Sequence, residues 1–568
     1  MSVPLESNAT PAPSYDNFYS PENVSFYESK PYVPLNRHRQ EVRQIRLLPG
    51  KRDDPVVCEL LPPEPLETAR YLAISYCAGD PNVTKRVTVN GLDFNAFANL
   101  EAALRKCRQD IDDYDEKRPP APLWADQICI DQSNPLERAH QVAFMRNIYE
   151  RAGRVKVWLG DEGRGGAGLG WLHGQYGNIL DFLEPLNLDP KNQDDEETLG
   201  AIDYTCEVIG KALAEDYIHD PDLVEAWMGL RDLMYSPWWG RCWVTQELIV
   251  SRTAVIMCGD EIMLWDQFRI AYGVVRAFVR AAWIHALARS RNDPNVERET
   301  KHLKSLIYNW QTHIDFMIDQ HTEWRKESEI PMKELLQHAR RAHSSDPRDR
   351  IYAFAGLAAS DYGIIPNYEA SNSVIDAHCH VMKQIVLRDG ELEMLSFAQN
   401  HIELPPDLPS WTPFWGLEAD RLSFATELAP YHNASGGLRA QTLTAAILST
   451  IHLGRQESPV PTESVDDVET ERRKARAELA DRHRQEVSTS EDRCFFLSPR
   501  EFIGVANGMP LHTDLLVVLL GGKVPFILRN VGEQYTLVGE AYVHGFMDER
   551  AIDMWHQGEL EIQSFDII

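Results

Sequence analysis

The sequence predicts an α/β fold, a mainly parallel sheet flanked by helices. Three short apolar runs, at residues 71–76, 123–130 and 154–159, predict buried strands. Two segments between them, 99–107 and 137–152, carry the apolar spacing of amphipathic helices. Strands that alternate with helices at this spacing are joined by right-handed crossovers and pair in parallel. We therefore expect the three runs to be neighbours in one sheet.

The amino-acid composition changes along the chain, and these changes predict further segments before and after the α/β core. The first residues are rich in Pro, Ser and Asn, a stretch near residue 470 mixes charges of both signs, and the tail alternates apolar residues with Gly turns. The predicted organisation is an extended N-terminal segment (1–40), an α/β domain (41–260) with a helical insertion (161–235), a mostly helical region (261–454), a charged linker or helix (455–490) and a small β module (491–568). Within the insertion, residues 161–170 are rich in Gly and predict a loop.

Charge and cysteine content narrow the class of protein. The chain has 568 residues and a formal net charge of −29, which disfavours nucleic acid and anionic membrane surfaces as partners. Its nine cysteines form no CxxC pair, a usage typical of reduced thiols in the cytoplasm. The N-terminus lacks the pattern of a signal peptide, and no apolar run has the length of a membrane span. We expect a soluble cytoplasmic protein.

Three sequence blocks together resemble the heterokaryon-incompatibility (HET) domain of fungi. Their order and spacing also agree with that family, over roughly residues 68–250. The blocks are Tyr71–Asp80, then Leu123–Gln132 with Glu137–Val142 and Met145–Tyr149, then Trp238–Leu248. Two further stretches, Asp346–Ala353 and Gly539–Met547, extend the resemblance more weakly to longer HET-containing proteins. One position departs from the pattern, because Ala78 stands where the family usually has Trp.

The resemblance implies a regulator of fungal non-self recognition and programmed cell death, a form of innate immunity, with protein partners and a possible homo-oligomer. The HET domain has itself been compared with Toll/interleukin-1 receptor (TIR) domains, which have a flavodoxin-like core and some of which hydrolyse NAD. In those enzymes the catalytic glutamate is the Glu within a pattern like Trp-Cys-x-x-Glu-Leu. The similar stretch Arg241–Leu248 places Glu247 at that position. Fold-level analogy of this kind supports a hypothesis about activity.

Glu247 is thus the predicted catalytic residue. Cleavage of the nicotinamide–ribose bond passes through an oxocarbenium-like state that a nearby carboxylate stabilises, as in glycoside hydrolysis. Trp243 precedes Glu247 by four residues, so on a helix the two side chains share a face, where they can bind a nucleotide. The alternative is a structural helix in which Trp243 packs in the core and Glu247 pairs with Arg241 or another cation.

The other predicted ligand-binding residues are Ser75, Tyr76, Asp126, Asp131, Trp239, Arg241 and Trp243. The first four lie in or just after two predicted strands, and open α/β sheets bind ligands beyond the carboxyl ends of their strands. For Asp131 the favoured alternative is a turn, since Asp131-Gln-Ser-Asn-Pro is typical turn sequence. Asp126, if buried, needs a partner, for which Arg138 and Arg241 are the candidates.

No cofactor or metal is predicted, and NAD enters only as a possible substrate. His378 and His380 are two residues apart, a spacing that spreads ligands around a helix, and no second pair stands nearby in the sequence. The Gly-rich stretch near residue 165 lacks the Lys-Ser/Thr of a phosphate-binding loop. Two mechanisms remain open at this point: an enzyme that consumes NAD, and an interaction module that signals by assembly alone.

Overall fold

The computed structural model describes most of the first 370 residues and parts of the remainder. The described residues are 21–109, 121–161, 163–192, 195–216, 221–290, 313–326, 329–369, 371–389, 393–397, 407–413, 493–497, 503–507, 510–511, 513–519, 524–543, 555–557 and 562–568. The predicted charged linker at 455–490 and the N-terminal residues before 21 lie outside this set. The chain forms two compact units, residues 1–370 and 371–568.

Eleven strands belong to the first unit. They are β1 (Glu41–Val42), β2 (Ile45–Leu47), β3 (Val57–Leu60), β4 (Glu64–Pro65), β5 (Leu72–Tyr76), β6 (Thr84–Val89), β7 (Leu92–Phe97), β8 (Leu123–Trp124), β9 (Arg154–Trp158), β10 (Ala254–Cys258) and β11 (Glu261–Leu264). Nine of them form one sheet in the order β11-β10-β9-β5-β8-β2-β3-β6-β7, while β1 pairs with β4.

The centre of this sheet is parallel, as the sequence predicts. β5 pairs in parallel with β8 on one side and with β9 on the other, and β9 pairs in parallel with β10. The three predicted strands are therefore neighbours. The whole sheet, however, is mixed, because β2, β7 and β11 add antiparallel pairs. One of these pairs follows from the Asn90-Gly91 turn, where both residues have positive φ and the chain folds back from β6 into β7.

The first unit also contains helices, some of which connect the strands of this sheet while others follow its last strand in the chain. They are α1 (Val24–Glu28), α2 (Ala98–Gln109), α3 (Asp126–Cys129), α4 (Pro135–Ala143), α5 (Met145–Arg151), α6 (Gly165–Leu183), α7 (Glu196–Asp216), α8 (Pro221–Met234), α9 (Cys242–Ile249), α10 (Trp265–Ser290), α11 (helical residues 313–326), α12 (Met332–Ala339) and α13 (Asp349–Ala355). Among the described residues, none of the helices is both long enough and apolar enough to cross a membrane.

Two local predictions are corrected. The strand expected over 123–130 ends at Trp124, since α3 begins at Asp126 with its residues Gln127 to Cys129 buried. The Gly-rich stretch expected to be a loop instead begins α6. Its glycines let two helices meet backbone to backbone: a Cβ added at Gly168 would lie 2.4 Å from the carbonyl of Gly229 in α8. Close helix packing explains the glycines that sequence alone assigns to a loop.

Among its described residues, the second unit contains one α-helix and a small sheet. The helix is α14 (Val374–Asp389), and the five strands are β12 (Arg493–Leu497), β13 (Ile503–Asn507), β14 (Leu515–Val517), β15 (Phe526–Val531) and β16 (Gln534–Val543). These strands pair antiparallel in the order β12-β13-β16-β15-β14. The sheet buries a cluster that includes Ala506, Ile527 and Val543. The predicted β module is present, with one strand, β13, that the sequence reading did not identify.

Candidate functional site

The candidate site lies where the central strand ends. Among the four adjacent parallel strands at the centre of the sheet (β5, β8, β9 and β10), β5 comes first in the chain, yet it lies between β8 and β9, which follow it. The strand order therefore reverses between β5 and β9, and such a switch point opens a crevice at the carboxyl ends of the strands. Ser75 and Tyr76 are the last two residues of β5, and Tyr76 pairs in register with Trp158 at the end of β9.

Glu247 of α9 is buried beside the end of β5. Only 3% of the residue is exposed, and its Oε2 accepts a hydrogen bond from the hydroxyl of Ser75. The Ser75 oxygen in turn accepts from the indole N–H of Trp238 at 2.8 Å. The hydroxyl of Tyr149 donates to the carbonyl of Ile74 at 3.0 Å and lies within hydrogen-bonding reach of the Glu247 carboxylate. The carboxylate is thus oriented by groups on two other elements, Ser75 of β5 and Tyr149 of α5, and Trp238 holds Ser75 in turn.

Burial is the largest influence on the pKa of the Glu247 carboxyl. It raises the pKa of Glu247 from its ordinary value of 4.5 to about 7, although the positive charge of Arg241 and the Ser75 hydrogen bond act in the opposite direction. The negative charge of Asp126 raises it further. A carboxyl with a pKa near 7 exchanges its proton close to neutral pH, as general acids and bases in active sites do.

Asp126 and Arg241 are half-buried and complete the same cluster together with the buried Tyr76. The Tyr76 hydroxyl donates to Asp126 Oδ1 at 2.7 Å, and the backbone N–H of Gln127 donates to the same oxygen at 2.7 Å. Arg241 donates from Nη1 to the carbonyl of Tyr76. Tyr76 is therefore the direct partner that a buried Asp126 requires, and Arg241, one of the two predicted cations, is the positive charge beside it.

The charges in this cluster act on each other. Burial raises the pKa of Asp126, while Tyr76 and Arg241 oppose that effect. Burial lowers the pKa of Arg241, yet the negative charges of Glu247 and Asp126 outweigh it, so the pKa lies above its ordinary value. One permanent cation thus faces two carboxyls, and their acceptor oxygens and N–H donors are suited to hold the hydroxyl groups of a ligand.

The structure brings together Ser75, Tyr76, Asp126, Arg241 and Glu247, and it places the other three predicted residues elsewhere. Asp131 forms the turn that was its alternative, with Oδ1 accepting from the backbone N–H of Ser133 at 3.1 Å. Trp239 is buried against Phe268 and donates its indole N–H to the carbonyl of Leu233. The indole N–H of Trp243 lies within hydrogen-bonding reach of Asp349, a residue outside the predicted site.

Two residues of the cluster were missed by sequence reasoning. Trp238 and Tyr149 both lie within the blocks that carry the family resemblance, but neither was chosen as a site residue. Two adjacent tryptophans offer no sign of which one faces the site. In the structure Trp238 bonds Ser75, while Trp239 packs in the core. The presence of a tyrosine at the end of the Met145–Tyr149 block was the available signal for Tyr149.

The fold and this cluster define an α/β domain with a buried carboxylate at the switch point of its sheet. Residues 71–247 match the family model described as heterokaryon incompatibility protein (HET), and residues 465–559 match the Het-6 beta-barrel domain. The chain therefore contains a HET domain and a Het-6 barrel domain, which confirms the resemblance. The matched HET region begins one residue before β5 and ends at Glu247.

A curated relative supports the same assignment. The chain is 24% identical over 436 residues to "Heterokaryon incompatibility protein 6, OR allele" of Neurospora crassa. The aligned region covers 69% of this chain and 60% of that protein, so the chain spans somewhat less than two thirds of the relative's length. No solved structure matches the chain.

Proposed function

We propose that this chain acts in fungal heterokaryon incompatibility, and that its HET domain signals towards cell death by hydrolysing NAD at the Glu247 cluster. The HET and Het-6 barrel matches and the name of the Neurospora relative support the first part. The single observation that carries the second part is the buried Glu247 carboxylate, oriented by Ser75 at the carboxyl end of the central strand. In this proposal the protein is cytoplasmic and its regulatory partners are proteins, including further copies of itself.

The strand order supports a TIR-like reading of the core. Numbered along the chain, the four adjacent parallel strands at the centre of the sheet follow the order 2-1-3-4, which is the order of flavodoxin-like sheets up to their fourth strand. In such sheets the ligand lies at the switch point between the first and third strands. Here that point is the end of β5, where Ser75 contacts Glu247.

Each side chain has a role in the proposed reaction. Ionised Glu247 stabilises the positive charge that develops on the ribose as the bond to nicotinamide breaks, and nicotinamide leaves without a second carboxyl to protonate it. Asp126 accepts hydrogen bonds from ribose hydroxyls. Arg241 binds the pyrophosphate, for which a guanidinium is well suited. Water completes the reaction by attacking the ribose carbon and giving ADP-ribose and a proton.

The test is to incubate the purified full chain with NAD and to measure free nicotinamide. We expect Glu247→Gln, which keeps the shape and removes the charge, to reduce turnover by roughly 10²-fold or more. Glu150→Gln is the matched control, because Glu150 is a partly exposed glutamate of the same domain that pairs with Arg146 on its own helix. Equal turnover in the wild type and in Glu247→Gln would refute the assigned role of Glu247.

One observation favours a second candidate, an interaction module that signals by assembly without catalysis. Glu247 is almost fully buried and its carboxylate already has protein partners, as expected of a structural residue. In that case the wild type releases no nicotinamide even when forced to oligomerise, and Glu247→Gln changes the melting temperature alone. Activity and thermal unfolding, measured on one preparation, separate the two candidates.

A further inference from the structure

A segment that follows the HET family match by almost a hundred residues packs directly on α9. Residues 343–355 contain the Asp346-Pro-Arg-Asp-Arg motif, which the proposed reaction does not use. The backbone N–H of Cys242 donates to the carbonyl of His343 at 3.0 Å, and that of His343 donates to Gly240 at 2.5 Å. Farther along, the amide of Gln246 donates to the carbonyl of Ala353 at 3.1 Å. The segment thus contacts the helix of Glu247 at its first residue, Cys242, and again one turn later, at Gln246.

Asp349 lies between these two contacts. Its carboxylate accepts a hydrogen bond from the Tyr368 hydroxyl at 2.6 Å and lies within hydrogen-bonding reach of the indole N–H of Trp243. Trp243 is the second residue of α9 and lies one helical turn before Glu247. The carboxylate of Asp349 therefore joins the first turn of α9 to a tyrosine from outside the HET segment.

The rest of the motif holds Tyr368 in place. Arg348 forms a buried ion pair with Asp346, with Nη2 to Oδ2 at 2.8 Å and Nε to Oδ1 at 3.1 Å. The guanidinium of Arg348 also lies over the ring of Tyr368, 5.3 Å from its centroid. A continuous chain of contacts runs from Asp346 through Arg348, Tyr368 and Asp349 to α9.

The helix that carries Glu247 depends on such external contacts. α9 has only eight residues, well below the roughly 12–15 that a helix needs to be stable by itself in water. Within the described residues, Arg241 at its N-cap makes no side-chain capping hydrogen bond. Because neither length nor capping stabilises α9, tertiary contacts set the position of its first turn, and with it the positions of Arg241 and Glu247.

We propose that Asp349 is a positioning residue for the candidate active site, which fixes the first turn of α9 through Trp243 and so aligns Glu247 with Ser75. The inference rests on the proposed function for its effect on turnover. Its structural half, that Asp349 controls the order of α9, is independent of NAD hydrolysis. Asp349 itself contacts neither Ser75 nor the substrate in this proposal; it acts through the helix.

The experiment uses the full chain with Asp349→Ala, Asp349→Asn and Tyr368→Phe. Amide hydrogen exchange of residues 242–249 reports the order of α9, and nicotinamide release reports turnover. For Asp349→Ala we expect exchange in α9 to rise about tenfold and kcat to fall about tenfold. Asparagine keeps an oxygen that accepts from both Trp243 and Tyr368, so Asp349→Asn should restore both readouts to within about twofold of the wild type.

Asp195→Ala is the matched control. Asp195 caps α7 in the insertion by accepting from the backbone N–H and the hydroxyl of Thr198, so its loss destabilises a helix other than α9. Unchanged α9 exchange in this control and raised exchange in Asp349→Ala support positioning. If Asp349→Ala does not fold, Tyr368→Phe, which removes one partner, should show a smaller rise in α9 exchange.

The proposal of NAD hydrolysis and the proposal that Asp349 positions α9 can be refuted independently of each other. If the wild type releases no nicotinamide, the proposed function is wrong, and α9 exchange alone then decides about Asp349. If Asp349→Ala leaves α9 exchange and kcat at wild-type values, or if Asp195→Ala raises α9 exchange equally, the positioning role is overturned while NAD hydrolysis stands on its own test.

Discussion

At the scale of single residues, the contacts of Glu247 serve two opposed requirements. An ionised carboxylate is what the proposed chemistry needs, yet burial disfavours the ionised form and raises the pKa to about 7. Arg241 and the Ser75 hydroxyl oppose that effect without cancelling it. Near neutral pH the site thus holds a mixture of protonated and ionised Glu247. Active sites commonly retain such a group at a cost in stability.

This balance predicts how stability depends on pH. A pKa raised from 4.5 to about 7 means that the folded state binds the proton more tightly than the unfolded state. The stability contributed by protonated Glu247 is fully present below about pH 4.5 and is lost as pH rises through about 7. Glutamine resembles the protonated acid and does not titrate. Relative to Glu247→Gln, the wild type should therefore lose roughly 2 kcal/mol between pH 5 and pH 8.

Denaturant unfolding of both proteins at the two pH values measures this difference, and other titrating groups cancel in the comparison. Asp126 and Arg241 are present in both proteins, so their influence enters only through the pKa of Glu247. A difference in unfolding free energy that is constant with pH would show that Glu247 is ionised in the folded protein throughout the range.

At the scale of elements, helix packing in the insertion explains the glycines of α6. Gly168 lies against the backbone of Gly229, and a Cβ at Gly168 would approach the Gly229 carbonyl atoms to 2.4 Å. Gly174, farther along the same helix, is exposed and has no atom within 4 Å of an added Cβ. Close packing against α8 therefore requires glycine at position 168, whereas no packing contact requires it at position 174.

The pair makes a controlled prediction about stability. Gly168→Ala should destabilise the protein by about 1–3 kcal/mol, because the backbones of α6 and α8 must separate to admit the methyl group. Gly174→Ala should instead stabilise it by up to about 1 kcal/mol, the helix-propensity gain of alanine over glycine. Thermal unfolding of the two variants checks both signs, and destabilisation by Gly174→Ala would contradict the packing argument.

At the scale of the whole molecule, the candidate site depends on the first unit as far as Tyr368. The sheet, α9 and the Asp349 contacts all lie within residues 1–370, one of the two compact units. A fragment of residues 1–370 should therefore fold and keep the wild-type rate of nicotinamide release, within about twofold. A fragment of residues 1–260 retains the HET match but lacks the segment that holds α9, and should lose the rate by about tenfold or more.

Circular dichroism and nicotinamide release on both fragments test this prediction. Equal activity in the two would show that the HET segment is sufficient for the chemistry. Loss of activity in the longer fragment would place a required group in the second unit, which includes the Het-6 barrel match at residues 465–559.

The sequence by itself determined the central strands, their parallel pairing, five residues of the cluster beside them and the resemblance to the HET family. These are carried by local patterns: apolar runs for buried strands, Asn90-Gly91 for a hairpin, and the blocks around Ser75, Asp126 and Glu247. Such features survive because strand period, turn chemistry and motif spacing are properties of neighbouring residues. The resemblance, rather than periodicity, supplied the choice of Glu247.

Only the tertiary structure decided which side chain faces the site and what holds it there. Trp238 and Trp239 are adjacent, yet one bonds Ser75 and the other packs in the core. Asp349 reaches Trp243 across more than a hundred residues of chain. The Gly-rich stretch becomes a helix because Gly229 lies against it. In each case the deciding partner is distant in sequence, and burial, helix–helix approach and long-range hydrogen bonds leave no local pattern from which to predict them.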